Sequence, residues 1–155
     1  MTRPSKLPMR QFDRSLPMAL LRAREAVMKK FSPALKEHDL SPQQWRVIRV
    51  LVEEDALDAT EIAERCALLM PSLSRILQNL HKRGLLDRAT AKNDQRRSIV
   101  SITAQGRKLF KILSPINEAR YAYITDKFGY GKLELLYELL NELVEKIDEE
   151  EGEAL

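Results

Sequence analysis

The sequence predicts a mainly α-helical protein with one small β-hairpin. The apolar residues Leu73, Ile76, Leu77 and Leu80 recur at i, i+3, i+4 and i+7, a spacing that places them on one face of a helix. Directly after it, Leu85-Leu86-Asp87-Arg88 and Ser98-Ile99-Val100-Ser101-Ile102-Thr103 read as strands, the second rich in β-branched residues. Segment 91–97 between them carries turn formers and cations. A helix running straight into a basic hairpin is the order of a winged helix-turn-helix. Long apolar helical patterns toward both ends of the chain add a helical dimerisation region.

The first fourteen residues hold Arg3, Lys6, Arg10 and Arg14 against Asp13, with two prolines, and read as a flexible basic arm. A helix is expected from Ser15, as N-cap with Pro17 in the first turn, to about Glu37; Leu16, Leu20, Ala23, Val27, Phe31 and Ala34 form its apolar stripe. A second starts at Ser41-Pro42, again cap then proline, and contains Trp45, Ile48, Leu51 and Val52. A third, short helix fits Ala59 to Cys66, with Thr60 near its start. In the fourth, Pro71 suits an early position where its missing N–H costs nothing, and Gly84 suits the residue just past the end.

Beyond Thr103 the helical pattern returns with Leu109, Ile112, Leu113, Ile116, Tyr123 and Ile124. After Gly129-Tyr130-Gly131 it continues with Leu133, Leu136, Leu140, Leu143 and Ile147. Pro115 is expected to kink the long helix, and the acidic tail from Asp148 to fray. Two arrangements use this apolar surface, an intramolecular helical hairpin or a dimer interface built with the first helix, and the dimer is the expectation. The organisation is then an arm over 1–14, helical dimerisation segments over 15–40 and 104–150, and a winged helix-turn-helix over 41–103.

With 155 residues, 44% of them hydrophobic and 32% charged, the chain can bury a real core. No apolar run approaches the roughly 20 residues of a membrane span, and Met1 to Arg14 is too polar for a secretory signal, so a cytoplasmic protein with no membrane partner is expected. One cysteine and two separated histidines exclude an internal disulfide and argue against a structural metal. There is no Gly-rich phosphate loop, G-x-S-x-G, H-E-x-x-H or paired-Cys motif, so neither enzymatic activity nor a cofactor is expected.

Charge points to nucleic acid. Residues 71–103 carry seven Lys/Arg and two Asp, a local excess of +5 in a chain whose total is +3. The outer face of the fourth helix offers Ser72, Ser74, Arg75, Gln78, Asn79 and Lys82, side chains that read base edges in the major groove or hold phosphates. Arg96 and Arg97 at the hairpin tip suit an adjacent minor groove. Asp94 is out of place near a phosphate backbone unless its carboxylate pairs with and aims an arginine. The competing reading of each such residue alone is a solvated helix face.

The segment Asn93 to Thr103, following Met70-Pro71-Ser72-Leu73-Ser74 and Lys82-Arg83-Gly84-Leu85, resembles the MarR family of bacterial transcriptional regulators over nearly the whole chain. The family's Asp-x-Arg wing motif falls on Asp94 and Arg96. Ala19-Leu20-Leu21, Ala23-Arg24-Glu25-Ala26, Gln43-Gln44-Trp45-Arg46, Arg65-Cys66 and Pro71-Ser72-Leu73 are similar to the subgroup that represses homoprotocatechuate (3,4-dihydroxyphenylacetate) degradation operons. The resemblance implies a homodimer on a palindromic double-stranded DNA operator. It also implies phenolic-acid ligands, bound between the dimerisation helices and the winged domain, that release DNA.

The residues add their own evidence for an anionic ligand. Arg24 lies within the stripe of the first helix, between Leu20, Val27 and Met28, where a lone guanidinium needs an anion. Arg46 and Arg49 share a face with Trp45 beside them, so an aromatic carboxylate would meet guanidinium groups and an indole. The other account is structural ion pairing: Arg24 with Glu53 or with Glu25 across a dimer, and Arg46 and Arg49 with Glu53 or the C-terminal acids. Arg22 faces away from the stripe.

Relatives that sense peroxides carry their cysteine near the start of the first helix, whereas Cys66 ends a helix of the DNA-binding unit and reads as a buried, inert thiol. His38 reads as a loop residue and His81 as a polar group near DNA. The expected function is a ligand-responsive repressor of an aromatic-acid catabolic operon. Its alternatives are a global or nucleoid-type regulator without a dedicated effector and a protein–protein docking module.

Overall fold

The computed structural model describes residues 11–153, and the chain divides into two compact units, Met1–Ser114 and Pro115–Leu155. Of the expected basic arm, Arg3, Lys6 and Arg10 lie outside the described residues, and Phe12–Arg14 form a 3-10 turn. The elements that follow are α1 (Leu16–Glu37), α2 (Pro42–Glu53), β1 (Leu57–Asp58), α3 (Ala59–Cys66), α4 (Met70–Lys82), β2 (Leu86–Ala91), β3 (Asp94–Ile102), α5 (Ala104–Phe128) and α6 (Tyr130–Glu153).

Local chemistry explains the helix starts. Ser41 caps α2 in a full capping box: its Oγ accepts from the Gln44 N–H, and Gln44 Oε1 accepts from the Ser41 N–H. Asp58 caps α3 in the same way with Glu61. Ser15 precedes α1 as expected, but its hydroxyl makes no capping bond. Gly84 takes a φ of +75° just past α4, the left-handed conformation that glycine adopts without strain.

In the first unit, Leu35, Val47, Ile48, Leu51, Ile62, Leu73, Leu77, Leu80, Leu86, Val100 and Leu113 are fully buried. They join α1, α2, α3, α4, the sheet and the start of α5 around one core, at about 1.5–3 kcal/mol for each large side chain removed from water. α1 buries only Phe31, Ala34 and Leu35; Leu16, Leu20, Leu21 and Val27 toward its N-terminus are exposed. In the second unit, Leu135, Leu136, Tyr137, Leu139, Leu140, Val144 and Ile147 along α6 are exposed. Among the described residues, no helix is long and apolar enough to cross a membrane.

The sheet is antiparallel in the order β1-β3-β2, with Leu57 opposite Val100 and Leu86 opposite Ile102. The two-residue β1 is too short to show alternation and was not expected. The hairpin also differs from the expectation. Its strands extend to a two-residue turn at Lys92-Asn93, so Arg96 and Arg97 lie within β3 rather than at the tip. Periodicity missed this because the distal half of β2 is exposed and has no apolar face to alternate. Between Thr90 and Ala91 the partner on β3 jumps from Ser98 to Asp94, a bulge that contains both arginines.

α5 continues through Pro115, where the boundary between the units falls. Between α5 and α6 the helix breaks at Gly129, with a φ of +104°; Tyr130 and Gly131 already belong to α6. The acidic tail, expected to fray from Asp148, stays helical to Glu153.

Candidate nucleic-acid interface

α4 is held by its inner face and displays its outer one. Leu73, Leu77 and Leu80 are fully buried, while Ser72, Ser74, Arg75, Gln78, Asn79 and Lys82 are all exposed. The helix is pinned at its C-terminal end by Arg83, whose Nη1 donates to the Asp39 carbonyl at 2.8 Å and Nη2 to that of His38 at 3.3 Å. Sequence reasoning counted Arg83 only as charge, since its partners lie 44 and 45 residues away. On the same helix, Asn79 Oδ1 accepts from Gln44 Nε2 of α2 at 3.0 Å.

Four hydrogen bonds hold the wing. Thr103 N–H donates to the Leu85 carbonyl at 3.2 Å, and Thr103 Oγ1 donates to that of Gly84 at 2.7 Å while accepting from the Gly106 N–H at 3.0 Å. Gly106 permits this approach of α5 to the wing. A Cβ there would lie 2.3 Å from the Leu85 carbonyl oxygen. Arg97 Nη2 donates to Asp58 Oδ2 at 3.0 Å, tying β3 to the cap of α3. The Glu61 backbone N–H and, less strongly, the Arg97 guanidinium hold the Asp58 carboxyl below its usual range, against an opposing burial effect.

Arg97, expected to enter a minor groove, is engaged by Asp58 while half of its side chain stays exposed. Arg75, Lys82, Lys92 and Arg96 are likewise exposed cations on α4 and the hairpin. Asp94 does hold Arg96, but through the backbone: its Oδ1 accepts from the Arg96 N–H at 2.9 Å. The carboxylate closes a local turn inside the bulge rather than aiming a guanidinium.

The anion-binding candidates converge in part. Trp45 is buried, and its ring stacks on Phe110 with centroids 5.6 Å apart and planes 14° from parallel. Phe110 was missed; only the tertiary pairing singles it out from other apolar residues of α5. Arg46 Nη1 donates to the carbonyl of Cys66 at 2.7 Å, satisfying the last residue of α3 with a cation. Burial lowers the Arg46 pKa, and the neighbouring positive charge of Arg24 lowers it further, with Cys66 acting in the opposite sense.

Arg24 is half-exposed, with Glu25 of its own helix 3.6 Å away, so a surface carboxylate meets the arginine read as lone. Glu53 lies 3.5 Å from Arg65, which also pairs with Glu54 at 3.1 Å. Arg49 is exposed on α2. Cys66 is buried as expected, and burial pushes its thiol pKa up. His38, at the end of α1, contacts the Ala34 carbonyl through Nδ1 at 3.0 Å, and His81 is exposed on α4. In the second unit, Asn117 is buried and its Oδ1 has no hydrogen-bond partner among the described residues.

Comparison with known proteins agrees with this architecture. The model of the MarR family matches residues 38–97, from the end of α1 to Arg97 of the wing. The homoprotocatechuate degradative operon repressor of Escherichia coli is 39% identical over 130 residues, covering 84% of this chain and 88% of the relative. The crystal structure of NadR in complex with 4-hydroxyphenylacetate has a TM-score of 0.76 and 39% identity, over 88% of this chain and 97% of that one. The transcriptional repressor CouR, bound to a 23-mer DNA duplex, has a TM-score of 0.79 and 27% identity, over 90% of this chain and 99% of its own. On the similarity over most of its length to a relative sharing the same winged architecture, the chain belongs to the MarR family.

Proposed function

We propose that this protein is a homodimeric repressor that binds a palindromic operator controlling an aromatic-acid catabolic operon and leaves it when a phenolic acid binds. The observation that carries the reading is α4, with its leucines in the core and six reading or phosphate-binding side chains outside, beside a basic wing. Ser72, Ser74, Arg75, Gln78, Asn79 and Lys82 read bases and hold phosphates, Lys82 as a sequence-independent contact. Arg96 adds charge from the wing, which Asp94 and Arg97 shape. Such a protein works by binding, not catalysis, in the cytoplasm where its operator lies.

Segments 15–40 and 104–150 make the dimer; the exposed apolar residues of α1 and, separately, of α6 are surfaces for a second copy. The effector is an aromatic carboxylate. The half-exposed Arg24 and the partly buried Arg46 supply positive charge for a carboxylate, and Trp45, next to Arg46 in the sequence, brings an aromatic ring. Arg49 of the same helix adds a third cation. The ligands and roles of its relatives support this class: 4-hydroxyphenylacetate in NadR and homoprotocatechuate degradation for the Escherichia coli repressor.

Fluorescence anisotropy with the upstream intergenic duplex and a scrambled one, with and without 3,4-dihydroxyphenylacetate and related acids, tests the proposal. Specific binding weakened by one acid is expected, by about 5- to 150-fold for a coupling of about 1–3 kcal/mol. Specific binding indifferent to every acid would remove the effector, and equal binding to both duplexes would remove the operator.

A further inference from the structure

We propose that Gln44 is a positioning residue that sets which edge of the Asn79 amide faces DNA, so that α4 presents a hydrogen-bond donor at that position. The inference rests on the DNA-reading role of α4. Its origin is a group that cannot change polarity, the backbone N–H of Ser41. That N–H donates to Gln44 Oε1 at 2.9 Å, and the Gln44 N–H donates to Ser41 Oγ at 3.1 Å, so the first turn of α2 holds the glutamine in place. With Oε1 committed inward, the other end of the amide is Nε2, which can only donate. It donates to Asn79 Oδ1 at 3.0 Å. Polarity thus passes from a backbone amide through one side chain to the next, and the Asn79 group left to face outward is the donor Nδ2.

An asparagine on its own turns either edge outward and pairs bidentately with adenine, accepting from N6 and donating to N7. Turning Oδ1 toward α2 disfavours that mode, because the second lone pair of the oxygen no longer lies beside Nδ2 on the outward edge. What remains suits an acceptor on DNA: guanine O6 or N7, adenine N7, thymine O4, or a phosphate oxygen. The residues that make this link lie 35 positions apart on α2 and α4.

The test compares base-preference profiles, over duplexes with every operator position substituted in turn, for the full chain and three variants. Gln44→Glu keeps the capping box, since glutamate is a usual residue there, but a carboxylate only accepts. Asn79 must then turn Nδ2 inward and Oδ1 outward. Asn79→Asp reaches the same end by another route at an exposed site: one oxygen still accepts from Gln44 and the other faces DNA. Gln43→Glu, on the exposed neighbour, adds the same charge as a control. Gln44→Glu and Asn79→Asp are expected to lose an acceptor-bearing base at one position and favour a donor-bearing one, a change of about fivefold or more, the lower end for a good base contact. Gln43→Glu is expected to weaken all duplexes by one common factor.

Uniform weakening by both test variants well beyond that of Gln43→Glu would assign the acceptor to a phosphate oxygen, with the same polarity. Behaviour of Gln44→Glu indistinguishable from Gln43→Glu would overturn the inference. If the unsubstituted protein shows no sequence preference, operator reading itself fails, and the excess of Gln44→Glu over Gln43→Glu still decides the phosphate case.

Discussion

Gly106→Ala is the substitution whose cost follows most directly from the geometry. The added Cβ would lie 2.3 Å from the Leu85 carbonyl oxygen and 2.6 Å from Ile102 Cγ1. Comfortable carbon–carbon contacts need about 3.5–4.0 Å, and carbon–oxygen contacts about 3.3 Å or more, so both overlap by about 1 Å. The oxygen cannot simply turn away, because it accepts from the Thr103 N–H. Overpacking of this kind costs about 1–3 kcal/mol, and the better helix propensity of alanine offsets at most about 1 kcal/mol. A net loss of up to about 3 kcal/mol corresponds to a Tm lower by up to about 12 °C for a chain of this size. Because Leu85 opens the wing, relief of the clash also displaces β2, and operator affinity falls with stability. Circular dichroism melts at one fixed protein concentration, needed for a dimer, read the first effect and anisotropy the second. Gly131→Ala is the control: outside its own helix backbone nothing crowds the added Cβ within 4 Å, so its Tm should hold or rise. A Gly106→Ala protein melting at or above the unsubstituted protein would refute the close-approach argument.

Arg75→Ala should change which base pairs are preferred, whereas Lys82→Ala should weaken all duplexes alike and reduce the salt slope by about one unit; identical behaviour in titrations against salt would contradict the assignment. Asp58 has a lowered pKa, so its contribution to stability is present above the usual aspartate value of about 3.9 and is lost as pH falls through the lowered folded value. Urea unfolding across that acid range should therefore show a steeper acid loss for the unsubstituted protein than for Asp58→Asn; parallel curves would count against the Arg97–Asp58 tie and the α3 cap. Cys66, buried with a raised pKa, should resist iodoacetamide at about pH 8 until urea unfolds the chain. Rapid labelling of the folded protein would show an accessible thiolate.

Much of the frame was legible because it is local. Leu73, Ile76, Leu77 and Leu80 announce α4, Ser41-Pro42 announces α2, and Gly84 marks a stop, each through chemistry within a few residues. The outward set on α4 followed from the same periodicity. The distal hairpin was not legible, because strands exposed on both sides carry no alternation, and the two-residue β1 exists only through its pairing with β3. Arg24 looked lone on a helical wheel that shows neither the exposure of its stripe nor the reach of Glu25.

By itself, then, the sequence determined the helix-then-hairpin order, the helix starts and stops, the reading face and the concentration of positive charge, since these depend on neighbours in the chain. Only the tertiary structure decided where the polar side chains are spent. Arg83 goes to the α1–α2 turn, Arg97 to Asp58, Arg46 to the end of α3 and Gln44 to Asn79. Each of these partners lies 20 or more residues away, and a hydrogen bond needs a donor and an acceptor within about 3 Å, a condition that packing alone creates.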